Sequence, residues 1–218
     1  MTKSLPILVL LLAFTTTVFA QDKTYLKVSL NKGIGFNYHT VHYYYNTDGS
    51  RHRMPYSAGG GMGLQLDYGK YINSDLSVTG TLGYQHILAV PYEDENDKVL
   101  ASFNYGFVGL GLNADVLKTQ KAIELVSIGA GSLLSVPGKL RRTEEGGKLT
   151  PLKYHYSYGW QVNTNFMFDP FESKKFKLDA SLGYKNLNYS YLSSNASTEF
   201  RRLNGSGLFV TVGVRAYL

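Results

Sequence analysis

A histidine and a serine, His155 and Ser157, stand two positions apart and are the pair best suited to catalysis in this sequence. Residues two apart in an extended chain share a face, because successive side chains point in opposite directions. A histidine can take the proton of a serine hydroxyl when a carboxylate orients its ring. The nearest downstream acid, Asp169, lies at the opposite end of the same predicted strand, and the other acids could approach only through folding of loops (Glu144, Glu145 and Glu199). The leading interpretation of the pair is therefore polar filling of an interior, with hydrolysis as the alternative.

Five charged residues occupy the polar side of segments whose other side is apolar: Lys27, Asp67, Asp179, Lys185 and Arg215. Cations that face aspartates across a narrow interior neutralise them, whereas an unpaired charge in a low-dielectric space is costly. We therefore predict that the five side chains form an internal charge network that plugs the interior. A narrow pore for small solutes is the alternative.

The segments that must position these residues alternate between apolar and polar side chains, which is the period of a β-strand. In the most regular of them, Tyr156, Tyr158 and Trp160 alternate with Ser157 and Gly159. Eight such segments cover residues 26–38, 62–69, 76–90, 107–114, 126–134, 154–166, 176–185 and 208–218. Their lengths are close to or above those of a tilted strand that crosses a bilayer, which takes about 9–11 residues.

The connections between these segments alternate in length. Long connections cover roughly 39–57, 91–98, 136–152 and 191–206, and short ones cover roughly 71–75, 115–121 and 169–175. Outer-membrane barrels have short periplasmic turns and longer extracellular loops. The sequence therefore predicts an all-β, eight-stranded antiparallel up-and-down transmembrane β-barrel with short periplasmic turns and four longer extracellular loops.

The N-terminus and the composition agree with an exported β-protein. Lys3 precedes an apolar run over residues 5–14, and Val18-Phe19-Ala20 resembles a cleavage site, so residues 1–20 are predicted to be a signal peptide and 21–218 the barrel domain. Cysteine is absent, which excludes disulfides, cysteine-ligated zinc and a lipidated N-terminal cysteine. The net charge of +6 could suit nucleic acid, but export argues against that partner.

The polar faces indicate which side meets lipid. They are rich in glycine, serine and threonine, which suits a narrow eight-stranded interior filled by side chains, whereas a solvated face would carry more charge. Aromatic residues cluster near the strand ends, as in interfacial girdles. Those near the long loops are Tyr38, Tyr154, Tyr156, Tyr189 and Tyr191, and those near the short turns are Tyr68, Phe166, Phe168, Phe171 and Phe176. The apolar face is therefore predicted to point outward; a soluble exported lipocalin-like carrier, with the faces reversed, is the alternative.

The last eight residues, 211–218, resemble the C-terminal β-signal that the outer-membrane barrel assembly machinery reads. Gly213, Tyr217 and Leu218 carry the resemblance. With the signal peptide and the eight segments, the chain from residue 21 onward resembles the small outer-membrane β-barrel family of the OmpA/OmpX type. The resemblance implies an integral outer-membrane location, with outer-membrane lipid and the assembly machinery as partners.

The long connections carry the candidate binding residues. His39, His42 and His52 lack the HxH or HxxxH spacing of a metal site, so we expect no metal and no cofactor. Tyrosines 43–45 suit contact with an extracellular protein or glycan ligand, because tyrosine supplies contact area at low entropic cost. Basic loop residues suit lipopolysaccharide phosphates: Arg51, Arg53, Lys139, Arg141, Arg142, Lys148, Arg201 and Arg202.

The function expected from these features is a non-enzymatic surface protein whose barrel anchors extracellular loops, with a structural, envelope-integrity or adhesion role. His155 and Ser157 also resemble the histidine and serine of the lipid A deacylase family, whose members are eight-stranded barrels too. That resemblance implies, as the enzymatic alternative, a lipid A-modifying hydrolase.

Overall fold

The computed structural model describes residues 23–35, 40–45, 51–94, 97–119, 122–144, 147–148, 151–170, 172–173, 175–192 and 202–218. The predicted signal peptide and His39 lie outside these residues, and the side chains of His42 and His52 are not described either. No helix in the described ranges is long and apolar enough to cross a membrane.

The described chain is built from β-strands joined by short connections. In chain order they are β1 (Thr24–Gly35), β2 (Thr40–Tyr45), β3 (Arg51–Tyr56), β4 (Gly61–Tyr71), β5 (Leu76–Asp94), β6 (Asp97–Lys118), β7 (Ile123–Pro137), β8 (Lys139–Glu144), β9 (Gly147–Lys148), β10 (Leu152–Lys153), β11 (Ser157–Phe168), β12 (Phe176–Asn186), β13 (Asn188–Ser190), β14 (Arg202–Asn204) and β15 (Gly207–Tyr217).

Eight of these strands close into a barrel: β1, β4, β5, β6, β7, β11, β12 and β15. Each pairs antiparallel with its neighbours, and β15 pairs with both β12 and β1, so the last barrel strand seals against the first. Closure leaves no barrel strand with an unpaired edge, which a lipid environment requires. The predicted eight-stranded up-and-down barrel is confirmed.

The predicted assignment of faces is also confirmed along β1. Lys27, Ser29 and Asn31 are buried, whereas Val28 and Leu30 expose 53% and 64% of their surface. Exposed valine, leucine and isoleucine side chains continue around the other barrel strands, while charged, polar and aromatic side chains share the inside. A soluble barrel buries its apolar face, so the lipocalin-like alternative is wrong.

Strand structure continues beyond the barrel at the end predicted to be extracellular. β5 and β6 have 19 and 22 residues, about twice what a membrane crossing needs. They pair as far as Asp94 and Asp97, so the connection predicted over 91–98 is mostly strand. β8 extends the sheet from β6, while β2 with β3 and β13 with β14 form separate hairpins. The described parts of the long connections are therefore largely β-structured.

Candidate functional site

A buried aspartate, Asp179 on β12, is the centre of the charged layer inside the barrel. The Lys27 ammonium donates a hydrogen bond to its Oδ1 atom at 2.8 Å, and the Arg215 guanidinium donates to its Oδ2 atom. Asp67 lies farther from Lys27, with 3.7 Å between the charged atoms. Strand pairing brings these residues together, because Lys27 on β1 is the cross-strand partner of Arg215 on β15 and of Asp67 on β4. Two cations and two carboxylates thus share one layer of the lumen.

Neutral polar side chains complete the hydrogen bonding of Asp67. The Gln65 amide donates to both carboxylate oxygens at 3.0 Å, and the Thr81 hydroxyl donates at 2.7 Å. On the opposite wall, the Ser181 hydroxyl accepts from Lys27 at 3.2 Å and donates to Asn165 at 2.8 Å. Small polar residues on the inner face therefore link the ions to the wall.

Little free volume remains in this layer. The cavity among these side chains measures about 40 Å³, which is room for a few water molecules. The Arg215 guanidinium lies over the Tyr25 ring, 4.2 Å from its centroid, and closes the layer toward the periplasmic end. A passage for solutes does not run through the described part of the lumen at this level.

Lys185 does not join the predicted network with the aspartates. It lies in a separate layer, where its ammonium donates to the Gln85 side-chain carbonyl. Three aromatic rings surround it, with centroids 5.1 Å away for Phe107, 5.3 Å for Tyr105 and 5.8 Å for Phe209. No carboxylate pairs with it among the described residues. The ring faces and the amide oxygen stabilise this buried cation instead.

A hydrophobic core fills the barrel above Lys185. Its members include Phe103, Tyr105, Tyr154, Leu187, Tyr189 and Leu203, each at most 5% exposed. Tyr154 and Tyr189 were predicted to belong to the outer aromatic girdle, and that prediction is wrong for both. The sequence of β6 contained a signal for this core. Its aromatic residues from Phe103 to Phe107 alternate with smaller ones and lie on the face opposite to that of the outward Val108 and Leu110.

Tyr189 is held inside this core by a hydroxyl pair. Its phenolic oxygen lies 2.7 Å from the Ser135 hydroxyl, and that hydroxyl donates to the Gly106 carbonyl at 3.0 Å. Burial raises the pKa of Tyr189 above its ordinary value of 10.0. The phenol therefore stays protonated and packed at neutral pH.

The catalytic alternative placed His155 and Ser157 on the same inner face, and the structure separates them. Ser157 is buried and its hydroxyl accepts a hydrogen bond from the Asn188 backbone N–H at 3.0 Å. His155 is exposed on the outer wall beside Tyr156. The chain leaves regular strand geometry between β10 and β11, so two successive side chains both face outward. This geometry contains no Ser–His dyad and gives Ser157 a structural contact.

The predicted assembly-signal residues line the closing seam. A Cβ atom on Gly213 would lie 2.2 Å from the Val28 carbonyl oxygen, so glycine permits the close approach of β15 and β1. The Tyr217 ring packs edge-on against Tyr25, and the Leu218 amide donates to the Thr24 carbonyl at 3.0 Å. The same residues therefore take part in the contacts that close the barrel.

An exposed ion pair marks the opposite, short-turn end. The Lys118 ammonium donates to Asp75 at 2.6 Å, and this hydrogen bond lowers the pKa of Asp75 and raises that of Lys118. Near it, Lys177 bridges Glu124 and Asp169. A group of three or more metal-ligating side chains does not occur in the described ranges.

Comparisons with known proteins identify the fold. No family model and no curated protein matches the chain. The solid-state NMR structure of outer membrane protein AlkL in lipid bilayers is similar over 92% of this chain and 92% of AlkL, with a TM-score of 0.57 and 12% identity. The crystal structure of outer membrane protein OprG from Pseudomonas aeruginosa is similar over 90% of this chain and 96% of OprG, with a TM-score of 0.55 and 12% identity. The protein therefore has the eight-stranded fold of small integral outer-membrane β-barrels.

Proposed function

We propose that this protein is a non-enzymatic, non-conducting barrel of the outer membrane that anchors β-structured extracellular segments, with a role in envelope integrity or adhesion. The observation that carries the proposal is the filled lumen. A barrel that served as a pore would keep a continuous water-filled channel, whereas this interior holds three successive layers of packed side chains.

The layers exclude solutes in different ways. In the charged layer, Asp179 and its two cations leave about 40 Å³ of free volume. In the next layer, the buried ammonium of Lys185 is enclosed by aromatic rings and places a positive charge in the path of cations. Tyr105 and Tyr189 then belong to a hydrophobic core that offers no polar path. The narrow-pore alternative would require all three layers to rearrange.

The extended strands support the anchoring role. β5 and β6 carry strand structure well beyond a membrane crossing, and the β13–β14 hairpin packs Tyr189 and Leu203 into the same core. A rigid platform of this kind suits presentation of loops to a protein or glycan ligand. We propose lipopolysaccharide and outer-membrane lipid as further partners, and the barrel assembly machinery as the partner in biogenesis.

Conductance across a planar bilayer tests the closed barrel. The full mature chain, refolded into detergent and checked by heat-modifiable migration, is added to a lipid bilayer in about 1 M salt, an ionic strength at which charges are screened within about 3 Å. We expect no stepwise currents, while a general porin added afterwards gives steps in the same membrane. Reproducible steps from the wild-type chain would overturn the proposal.

An exchange of extracellular segments tests the anchoring role separately. Replacing the β2–β3 hairpin by a short glycine-rich turn should leave the barrel folded and heat-modifiable, because its strands pair with each other rather than with the barrel. Cells carrying this variant should lose the surface property, such as binding to immobilised glycan or protein, that the wild type confers. Retention of every such property by the variant would argue against a role for this hairpin.

A further inference from the structure

A cluster of basic side chains lies on the outer wall just beyond the apolar belt. Lys139 and Arg141 on β8, Lys153 on β10 and His155 are all exposed, while Leu140 and Leu152 between them point inward and are buried. Period-two alternation therefore sorts the apolar residues to the core and the basic ones to the outside. We refer to Lys139, Arg141, Lys153 and His155 as the outer basic patch.

The patch contains an unfavourable arrangement of like charges. Lys139 and Lys153 are direct cross-strand partners, and like charges in that position destabilise a sheet. No ion pair joins Lys139, Arg141 or Lys153 to another residue in the described part of the chain. Such a group of cations is stabilised when an anion binds between them.

An apolar groove begins directly below the patch. Leu134, Val136, Tyr156, Tyr158 and His155 line its upper part, a depression of about 490 Å³ in the outer wall. His155 belongs to both, so the patch and the groove are continuous.

The groove continues toward the membrane interior. A second depression of about 410 Å³ shares Leu134 and Tyr158 with the first and is also lined by Leu110 and Ser132. Ser132 is small and faces outward between Leu110 on β6 and Trp160 on β11, so the outer surface is recessed at this level. A basic patch above an apolar groove matches a molecule with an anionic head and an apolar chain.

We propose that the outer basic patch and this groove form a seat for the lipid A part of lipopolysaccharide. The phosphate lies against Lys139, Lys153 and the Arg141 guanidinium, and one acyl chain lies along β7 past Ser132. The depth of the outer basic patch in the membrane suits lipid A, because the patch lies at the level of the outer-leaflet headgroups when the short turns face the periplasm. The proposal rests on the outer-membrane orientation in the proposed function and deepens it by naming the partner of one surface.

Lipid titration of charge variants tests the seat. The refolded chain in detergent is titrated with bisphosphorylated lipid A and followed by native mass spectrometry. Lys139→Gln/Lys153→Gln should weaken binding about 30-fold, since each lysine near an anionic lipid surface contributes about fivefold. The matched control Lys23→Gln/Lys175→Gln removes the same charge from exposed positions at the periplasmic end and should bind like the wild type.

The groove is tested by filling it. Ser132→Phe should displace the acyl chain and weaken lipid A binding, whereas Ala114→Phe, also exposed but near the short-turn end of β6, should not. Both substitutions face lipid, and heat-modifiable migration of each variant verifies folding. Loss of binding in Ser132→Phe alone supports the proposed position of the acyl chain, and equal binding by the two variants contradicts it.

Binding of chemically different lipids tests whether lipid A is the molecule that occupies the groove. Wild type should bind dephosphorylated lipid A and phosphatidylglycerol clearly more weakly than bisphosphorylated lipid A. The proposal is overturned if dephosphorylated lipid A binds as tightly, if phosphatidylglycerol binds as tightly with the same dependence on Lys139 and Lys153, or if the double glutamine variant binds lipid A like the wild type. A conducting wild-type barrel would instead refute the closed anchor and leave this titration unaffected.

Discussion

Removal of the Asp179 charge should be the most damaging single change in the lumen. Its side chain is fully buried and hydrogen bonds to both Lys27 and Arg215. Asp179→Asn keeps the shape but leaves the Arg215 guanidinium, 5% exposed, without a carboxylate partner, and leaves Lys27 with Asp67 at 3.7 Å. Breaking a buried ion pair on one side costs about 3–5 kcal/mol, because the remaining charge stays desolvated. We expect the free energy of unfolding to fall by about that amount.

The comparison variant is Asp67→Asn. Asp67 lies at the longer distance from Lys27 and accepts mainly from the neutral donors Gln65 and Thr81, so its loss should cost about 1–2 kcal/mol. Asp75→Asn removes an exposed carboxylate at a turn and should leave stability unchanged.

Urea unfolding in detergent measures all three variants. Trp160 is the only tryptophan of the chain and lies on the lipid-facing wall, so its fluorescence reports the unfolding transition. The slope of free energy against urea should stay constant, so that differences in midpoint report stability. The reasoning is refuted if Asp179→Asn costs less than about 1 kcal/mol, a value well below that of a broken buried pair, or costs less than Asp67→Asn.

Three further substitutions, and one control, have defined outcomes. Gly213→Ala should prevent refolding, because the new Cβ would lie 2.2 Å from a backbone carbonyl oxygen across the seam. The control Gly80→Ala should refold normally, because the nearest atom to its new Cβ is 3.9 Å away. The fast-migrating band of unboiled samples measures the refolding of both variants. Tyr189→Phe loses the 2.7 Å contact with Ser135 and should cost about 1 kcal/mol at pH 7 by urea unfolding. Because burial raises the pKa of Tyr189, its phenol stabilises the fold below pH 10 and this contribution is lost as pH rises beyond 10, so the gap between variant and wild type should narrow at pH 11. Ser157→Ala should leave the acyl pattern of lipid A unchanged in mass spectra, and any deacylation that depends on this serine would contradict its structural role.

The local alternation in the sequence was enough to predict the barrel and most of its faces. Which side of a strand a residue occupies depends only on the extended backbone, so Lys27 could be assigned inward and Val28 outward without knowledge of the partner strands. The connection pattern likewise predicted antiparallel neighbours. The seam between β1 and β15 followed because a barrel must close.

Alternation does not say how high in the barrel a side chain lies. Lys27, Lys185 and Arg215 share the inner face, but strand register decides that Lys27 and Arg215 reach Asp179 whereas Lys185 is surrounded by aromatic rings. Register depends on pairing between residues far apart in sequence, so only the tertiary structure could divide the predicted network into two layers.

Departures from regular strand geometry were equally invisible to the sequence. The break between β10 and β11 turned His155 outward and left Ser157 inside, and the same region buried Tyr154 in the core rather than at the membrane surface. The period of two therefore determined the fold and the lipid-facing surface of this protein. The layers of the lumen and the outer basic patch were decided by strand register and by this break, because both depend on contacts between segments that the chain brings together only on folding.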